Sequence, residues 1–307
     1  MQFIDIMEQN KIDVSIIIIN YNTEKLIIPC VESIFEKTIV CNYEIIIVDN
    51  SSSDNSVEEL KDVFGNHSKI RIIKMNENLG FGKANNKGIK NSTGDYILFL
   101  NPDTLLKNDA IDILWHYCSN HPDVGACGGN LYNANLCPVH SFHRTFPSIF
   151  SDFSFSLFSI PEKIIYGRNM YFNYTKTVIE VAYITGADLM IPRKVLNKTG
   201  AFAPEFFMYY EETELCGRIK KAGYRVVSVP DAEIIHLEGK SSKNIEKKAQ
   251  MVCTSRNTYY ALTHSRFYKV TSDFFFMWNC LYRMLYGKMK DEGYYIYWKT
   301  MLNSLYK

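Results

Sequence analysis

The chain has 307 residues, and at about 150 residues per domain this corresponds to two domains or one large α/β domain with an appendage. Hydrophobic residues make up 47% and charged residues 22%, so a sizeable core is available and intrinsic disorder is excluded. Lys and Arg number 34 against 33 Asp and Glu, a formal net charge of +1, which argues against a protein whose main task is gripping nucleic-acid phosphates.

The first predicted element is a strand, Val14 to Ile19, an almost wholly apolar β-branched run of the kind buried on both faces. It ends in Asn20-Tyr21-Asn22-Thr23, and Leu26, Ile27, Cys30 and Ile34 follow at helical spacing. A second strand, Glu44 to Val48, ends in Asp49-Asn50-Ser51-Ser52-Ser53-Asp54 ahead of helical Val57, Leu60, Val63 and Phe64. A third, Ile70 to Ile73, runs into Asn76 to Gly80 and a helix to Lys90, and a fourth, Tyr96 to Leu100, ends in Asn101-Pro102-Asp103. Strands alternating with helices across short polar turns spell an α/β fold with a Rossmann-like, mostly parallel sheet and helices on both faces.

In such sheets ligands bind beyond the carboxyl ends of the strands. Those ends carry Asn20, Asp49, Asn78 and Asp103. Asn, Asp and Ser there can simply cap the helices that follow, but four such loops in a row favour a nucleotide-type site. No GxGxxG follows the first strand and GxxxxGK[ST] is absent, which removes the usual dinucleotide and P-loop readings. A nucleotide diphosphate must then be neutralised otherwise, and a divalent ion held by Asp103 would do it.

The ordered set NYNT, VDNSSSDNS, NLGFGKANNKGI and FLNPD resembles the family-2 inverting glycosyltransferases of the GT-A fold. It is most similar to the rhamnosyltransferase-type members that build bacterial surface polysaccharides. The likeness continues through Gly186-Ala187-Asp188, Phe207 to Cys216 and His236 to Ser241, and so spans roughly residues 12 to 245. The resemblance implies that Asn20, Tyr21 and Asn22 lie beside the nucleotide and that Asp49 hydrogen-bonds its base or ribose. It implies that Asn78, Gly80 and Asn85 pack against nucleotide and diphosphate. Asn101-Pro102-Asp103 stands where the family's DxD motif falls. With an amide at its first position, Asp103 would be the main acidic ligand for Mg²⁺ or Mn²⁺.

Glu211-Glu212 occupies the family's Glu-Asp position, which makes Glu212 the general base with Glu211 beside it. An inverting transfer needs one carboxylate to take the acceptor's proton. The acids open a helix whose dipole favours their ionised form, although first-turn acids are also ordinary helix chemistry. Glu214 and Arg218, at i and i+4, read as a helix-stabilising pair. His236 matches the family histidine and would ligate the metal or touch the diphosphate, with Lys240 and Ser241 donating to phosphate oxygens. Asp188 falls near the donor sugar or the acceptor, and Arg144 in a segment that reaches the acceptor. His140 and His143, bracketed by Pro138 and Pro147 with no acid nearby, are not read as a metal site.

Residues 1–245 are therefore expected to form the catalytic domain, with a nucleotide-binding half about 12–103 and an acceptor-side half about 104–245. Residues 246–307 would form a helical, aromatic-rich appendage. Two stretches concentrate aromatics: residues 146–160 carry five Phe and one acid, and residues 267–306 alternate Phe, Tyr and Trp with five bases and three acids. The tail suits contact with an anionic membrane surface, and it equally suits packing on the domain or a homodimer interface. The eight cysteines form no CxxC pair and several sit in apolar runs, the pattern of reduced, buried thiols in the cytoplasm. The N-terminal residues lack the basic-then-apolar order of a secretion signal, and no uncharged apolar run approaches the roughly 20 residues that cross a bilayer. The expected location is cytoplasmic, peripheral on the cytoplasmic face of the membrane.

The expected function is metal-dependent inverting transfer of a sugar from a UDP- or dTDP-linked donor to a glycan or lipid-linked glycan, with no nucleic-acid partner. Two rivals stand beside it. A nucleotidyltransferase would carry a Gly- and Lys-rich loop after the first strand, which NYNTEK does not supply. A catalytically inactive binding or scaffold protein of the same fold would account for the amide at Asn101.

Overall fold

The apolar runs become strands buried on both faces. In the computed structural model, which describes residues 11–237 and 244–305, all seven residues of β1 (Val14–Asn20) and of β2 (Tyr43–Asp49) are buried. Side chains alternate across a strand, so Ile16 and Ile18 join one core with Ile27, Cys30 and Ile34 of α1 (Glu24–Lys37). Ile17 and Ile19 join the opposite core with Ala84 of α3 (Phe81–Lys90) and Leu215 of α8 (Glu211–Lys221). A Cβ on Gly88 of α3 would lie 2.5 Å from Ile17 Cγ2; glycine there lets the helix press onto the sheet.

Between these elements come α2 (Ser56–Phe64), β3 (Ile70–Lys74), β4 (Tyr96–Leu100), β5 (Thr104–Leu106), α4 (Ala110–Asn120), β6 (Val124–Tyr132) and β7 (Phe142–His143). Then follow α5 (Ile149–Ser156), α6 (Ile160–Tyr166), β8 (Ile179–Glu180), β9 (Tyr183–Ile184), β10 (Asp188–Pro192), α7 (Arg193–Thr199) and β11 (Arg225–His236). The large sheet runs β3-β2-β1-β4-β10-β6-β11-β5, with β8 also on β11, while β7 and β9 form a separate ribbon. Strands β1 to β4 are mutually parallel, β10 enters antiparallel between β4 and β6, and β11 runs parallel to β6. The carboxyl ends of β1, β2, β4 and β11 and the start of β10 thus share one edge.

β11 carries a register irregularity between Ser228 and Glu233, after which Ile234 to His236 pair antiparallel with β5. The pairing with β5 lays the end of β11 beside the loop after β4.

The remaining helices are α9 (Ile245–Thr263), α10 (Arg266–Lys290) and α11 (Glu292–Ser304). Ala249, Cys253, Phe276, Cys280, Trp298 and Met301 form their core, and Phe155 of α5 packs into it. The aromatic stretch at residues 146–160 therefore supplies a fourth helix to this bundle. Arg256 of α9, 1% exposed, clamps it by donating to Asp152 of α5 (2.9 Å), to Asp273 of α10 (2.6 Å) and to Ser272 Oγ (2.6 Å). The bundle also touches the acid-bearing loop, for Ser255 Oγ donates to Met208 O at 2.7 Å and Tyr259 packs on Tyr210.

Candidate active site

The loops after β1 and β2 are laced together by one buried amide. Asn20 Nδ2 donates to Asp49 Oδ1 (2.9 Å), Ser56 Oγ (2.8 Å) and Ser52 Oγ (3.1 Å), while Thr23 Oγ1 donates to Asn20 Oδ1. The carboxamide of Asn20 therefore fastens the two loops. Tyr21 and Asn22 stay on the exposed rim, where Asn22 adopts a left-handed φ of 55° and its Oδ1 accepts from Ser53 N at 2.8 Å.

Asn50 ties the β2 loop to the next one: its Nδ2 donates to Asn78 Oδ1 (2.9 Å) and its Oδ1 accepts from Leu79 N (3.0 Å). Sequence reading passes over Asn50, although its place directly after Asp49 at a strand end is a usable signal. Gly80 has φ +83°, and a Cβ there would lie 2.1 Å from Phe207 O. The bare backbone lets residues 78–81 meet residues 206–208, where Phe81 N donates to Phe207 O at 2.8 Å. Asn85 is buried in α3, its Nδ2 donating to Phe81 O at 3.1 Å; its Oδ1 has no hydrogen-bond partner among the described residues.

The segment held against Gly80 leads into the acidic pair. Tyr209 and Tyr210 both take left-handed backbone, φ 75° and 68°, which costs a non-glycine residue about 1–3 kcal/mol. The double reversal starts α8 abruptly at Glu211. Glu211 is 3% exposed, its Cβ lies 3.7 Å from where a Cβ on Gly82 would stand, and its Oε2 lacks a hydrogen-bond partner among the described residues. Burial raises the affinity of Glu211 for its proton and the neighbouring Glu212 charge adds to it. Glu212 is half-buried, and burial raises its pKa against the opposing pull of backbone N–H groups at the helix start. Two such carboxyls titrate as a pair, with the charged form withheld until higher pH than for an ordinary glutamate.

Glu214 has a different job. Its carboxylate binds Arg218 through Nε (2.7 Å) and Nη2 (2.7 Å), and that guanidinium donates to Thr199 O, Gly200 O and Ala201 O. The pair anchors α8 to the chain leading into Phe202, which packs edge-on against Phe81 and Phe99.

On the other side of β4, Asp103 Oδ1 stands 3.2 Å from His236 Nε2, and Asn101 Nδ2 lies 3.5 Å from the same nitrogen. Leu237 N donates to Asp103 O at 2.9 Å. Two ligands in adjacent positions on one cation of first-row size are about 3 Å apart, so this carboxylate–imidazole pair has the spacing and donor chemistry for Mg²⁺ or Mn²⁺. Among the described residues no group of three or more His, Cys, Asp or Glu is placed to hold a metal. The pair would leave coordination positions to phosphate oxygens and water.

Asp188 opens β10 opposite Leu100 and is fully buried. Gly129 N donates to its Oδ2 at 2.6 Å, and Oδ1 has no hydrogen-bond partner among the described residues. Burial pushes its pKa up to about 7, with Gly129 and His236 acting the other way. The strand stays close to the loop after β4, where Asn101 N donates to Ala187 O at 3.0 Å. Gly186 lies against Phe81, whose ring would be 3.5 Å from an added Cβ. Arg144 stacks over Tyr166 of α6 at 4.9 Å. Lys240 and Ser241 lie outside the described residues.

Carboxylate and amide groups along one sheet edge, with an acidic pair heading a helix against the same loops, are the build of a GT-A glycosyltransferase. The chain belongs to glycosyl transferase family 2, whose sequence model matches residues 15–199. An N-acetylglucosaminyl-diphospho-decaprenol L-rhamnosyltransferase of Mycobacterium tuberculosis is 25% identical over 235 residues, 71% of this chain and 74% of that protein. The low-salt glycan biosynthesis hexosyltransferase Agl10 of Haloferax volcanii is 27% identical over 255 residues, 81% and 75% of the two chains. The fold is similar to that of the mannosyltransferase PcManGT from Pyrobaculum calidifontis in complex with GDP-Man and Mn²⁺, with a TM-score of 0.58 at 16% identity over 96% of this chain and 85% of that one.

Proposed function

We propose that this glycosyltransferase moves a hexosyl or deoxyhexosyl group from a UDP- or dTDP-sugar to a hydroxyl of a glycan or lipid-linked glycan, with inversion, in surface polysaccharide synthesis. The observation that carries the reading is the contact between Phe81 N and Phe207 O. It joins the Asn78–Gly80 segment, assigned to the donor, to the loop that presents Glu211 and Glu212.

Asp103 and His236 would hold the divalent cation, which when bound offsets the charge growing on the departing diphosphate. Glu212 takes the proton of the acceptor hydroxyl while its oxygen forms the new bond to the anomeric carbon. The bond from that carbon to the diphosphate breaks in the same displacement, and the electron pair leaves with the nucleoside diphosphate. Burial raises the proton affinity of Glu212 toward the working range of a general base, and its charge, once formed, helps hold the proton on the buried neighbour Glu211. The backbone N–H groups at the start of α8 favour the ionised form once the proton has gone. The rhamnosyltransferase relative acts on a diphospho-decaprenol acceptor by its name, which supports a lipid-linked acceptor here.

A thermal-shift panel of UDP-, dTDP- and GDP-sugars with and without Mn²⁺ tests the donor assignment, because a ligand that binds only the native state raises Tm by mass action. A rise with a pyrimidine nucleotide that needs the metal is expected. No shift with any pyrimidine nucleotide would overturn the assignment.

A further inference from the structure

The helices beside the acid loop expose an apolar face that no described residue covers. On α10, Phe267, Val270, Phe274, Trp278, Leu281 and Leu285 follow one another at three- and four-residue steps, the spacing of a single helix face. All are exposed, Phe267 to 83% and Trp278 to 61%. Helices α5 and α6 and the turn between them extend the face with exposed Phe153, Phe158, Ile164 and Ile165. Phe153 packs on Phe275 and Phe158 on Tyr282, so the two surfaces are continuous. Exposed apolar patches of this extent mark interaction sites.

Along residues 149–170 and 266–288 the exposed charges are basic, with the exposed acids Asp291 and Glu292 following only at the far end of α10. Lys163, Arg168, Arg266 and Lys288 are exposed. The acids of the same helices point inward: Asp152 and Asp273 onto Arg256, and Glu162 onto Thr145 and Ser154. Among the described residues of 149–170 and 266–288 no carboxylate is exposed.

We propose that α5, α6 and α10 dock this face onto an anionic lipid bilayer, with the aromatic and aliphatic side chains in the headgroup region and the bases on acidic headgroups. No helix among the described residues is long and apolar enough to cross a membrane, so the element lies along the surface. A second copy of the chain fits the face less well, because a two-fold contact would bring basic rim against basic rim. Through Arg256 and the Ser255–Met208 contact the docked helices connect directly to the loop that carries Glu212. The surface stands independently of the transfer chemistry, so failure of one leaves the other intact.

Flotation of the full chain with phosphatidylglycerol/phosphatidylcholine vesicles tests it, alongside pure phosphatidylcholine vesicles and about 0.5 M salt as arms. Binding is expected to the anionic vesicles, weakened by salt and by removal of the anionic lipid, with a blue shift of Trp278 fluorescence that is lost in Trp278→Phe. Trp278→Glu with Leu285→Glu, both at exposed positions, should lower the bound fraction about tenfold or more with circular dichroism and Tm unchanged. Lys163→Ala with Arg168→Ala should weaken binding to anionic vesicles selectively. Three results would each overturn the proposal: wild-type protein that stays with the unbound fraction, a Trp278→Glu/Leu285→Glu variant that floats as the wild type does, or a wild-type dimer that is dissociated by those substitutions and ignores vesicles.

Discussion

The carboxylate of Asp103 and the imidazole of His236 stand 3.2 Å apart because the last three residues of β11 pair antiparallel with β5, His236 opposite Thr104. Neither residue forms a metal site alone. If the pair holds the cation, Asp103→Asn and His236→Ala should each abolish the Mn²⁺-dependent part of the Tm rise with nucleoside diphosphate. The two side chains are only 14% and 15% exposed and touch each other, so the ligand-free Tm of each variant is measured in parallel to separate loss of the cation from loss of stability. A metal-dependent rise retained in both variants would place the cation elsewhere.

Gly80→Ala tests the join between the donor loop and the acid loop. The left-handed φ and the 2.1 Å approach to Phe207 O leave no room for a methyl group, so residues 206–208 must move. A loss of about 1–3 kcal/mol in stability is expected, measured by urea unfolding, with a larger proportional fall in kcat than in nucleotide affinity. Native stability and full turnover in the Gly80→Ala protein would show that the contact does not position the acids.

The proton affinity of Glu211 and Glu212 is raised above the ordinary glutamate value of 4.5, and the sign of two pH effects follows. Folding favours the protonated pair, so that contribution to stability is complete below about pH 4.5 and is lost as pH rises through the raised values. Activity moves the other way, because the base must be ionised, and kcat/KM should climb with pH across neutrality. Glu211 is raised further, to about 8 against about 7 for Glu212, so it keeps its proton while Glu212 ionises, and Glu211→Gln should leave the acid limb of the profile in place. A limb that moves to lower pH would mean that Glu211 is already charged while Glu212 titrates.

Much of the sheet is readable because parallel strands buried on both faces need unbroken apolar runs, and Val14 to Ile19 and Glu44 to Val48 supply them. The polar strand ends, Asn20, Asp49 and Asp103, are readable for the same reason: they interrupt those runs where ligands bind such sheets. The antiparallel entry of β10 between β4 and β6 is not, since Asp188–Pro192 is short and its neighbours are set by tertiary packing. The meeting of Asp103 with His236 depends on the pairing of β11 with β5; Pro230-Asp231 mark the register irregularity in β11, but nothing local tells which strand its end will meet. The resemblance puts Asn20 beside a nucleotide; that its buried amide also hydrogen-bonds to the neighbouring loop is a tertiary contact with no local signal. Arg256 carries a charge that ordinarily keeps a side chain at the surface, yet three partners from two other helices hold it inside. The backbone reversal at Tyr209 and Tyr210 has no sequence signal, because aromatic residues rarely accept positive φ.

In the proposed reaction Glu212 removes the acceptor proton while the donor is held by other groups. Nucleoside diphosphate release, measured side by side for the wild type and Glu212→Gln with a Mn²⁺-loaded pyrimidine sugar nucleotide and a polyprenyl-diphosphate-linked sugar as acceptor, tests it most directly. Turnover should fall by about a thousandfold or more in the variant, while nucleotide affinity by calorimetry stays within about twofold of the wild type. A variant that binds the donor normally and turns over within about tenfold of the wild type would show that Glu212 is not the base.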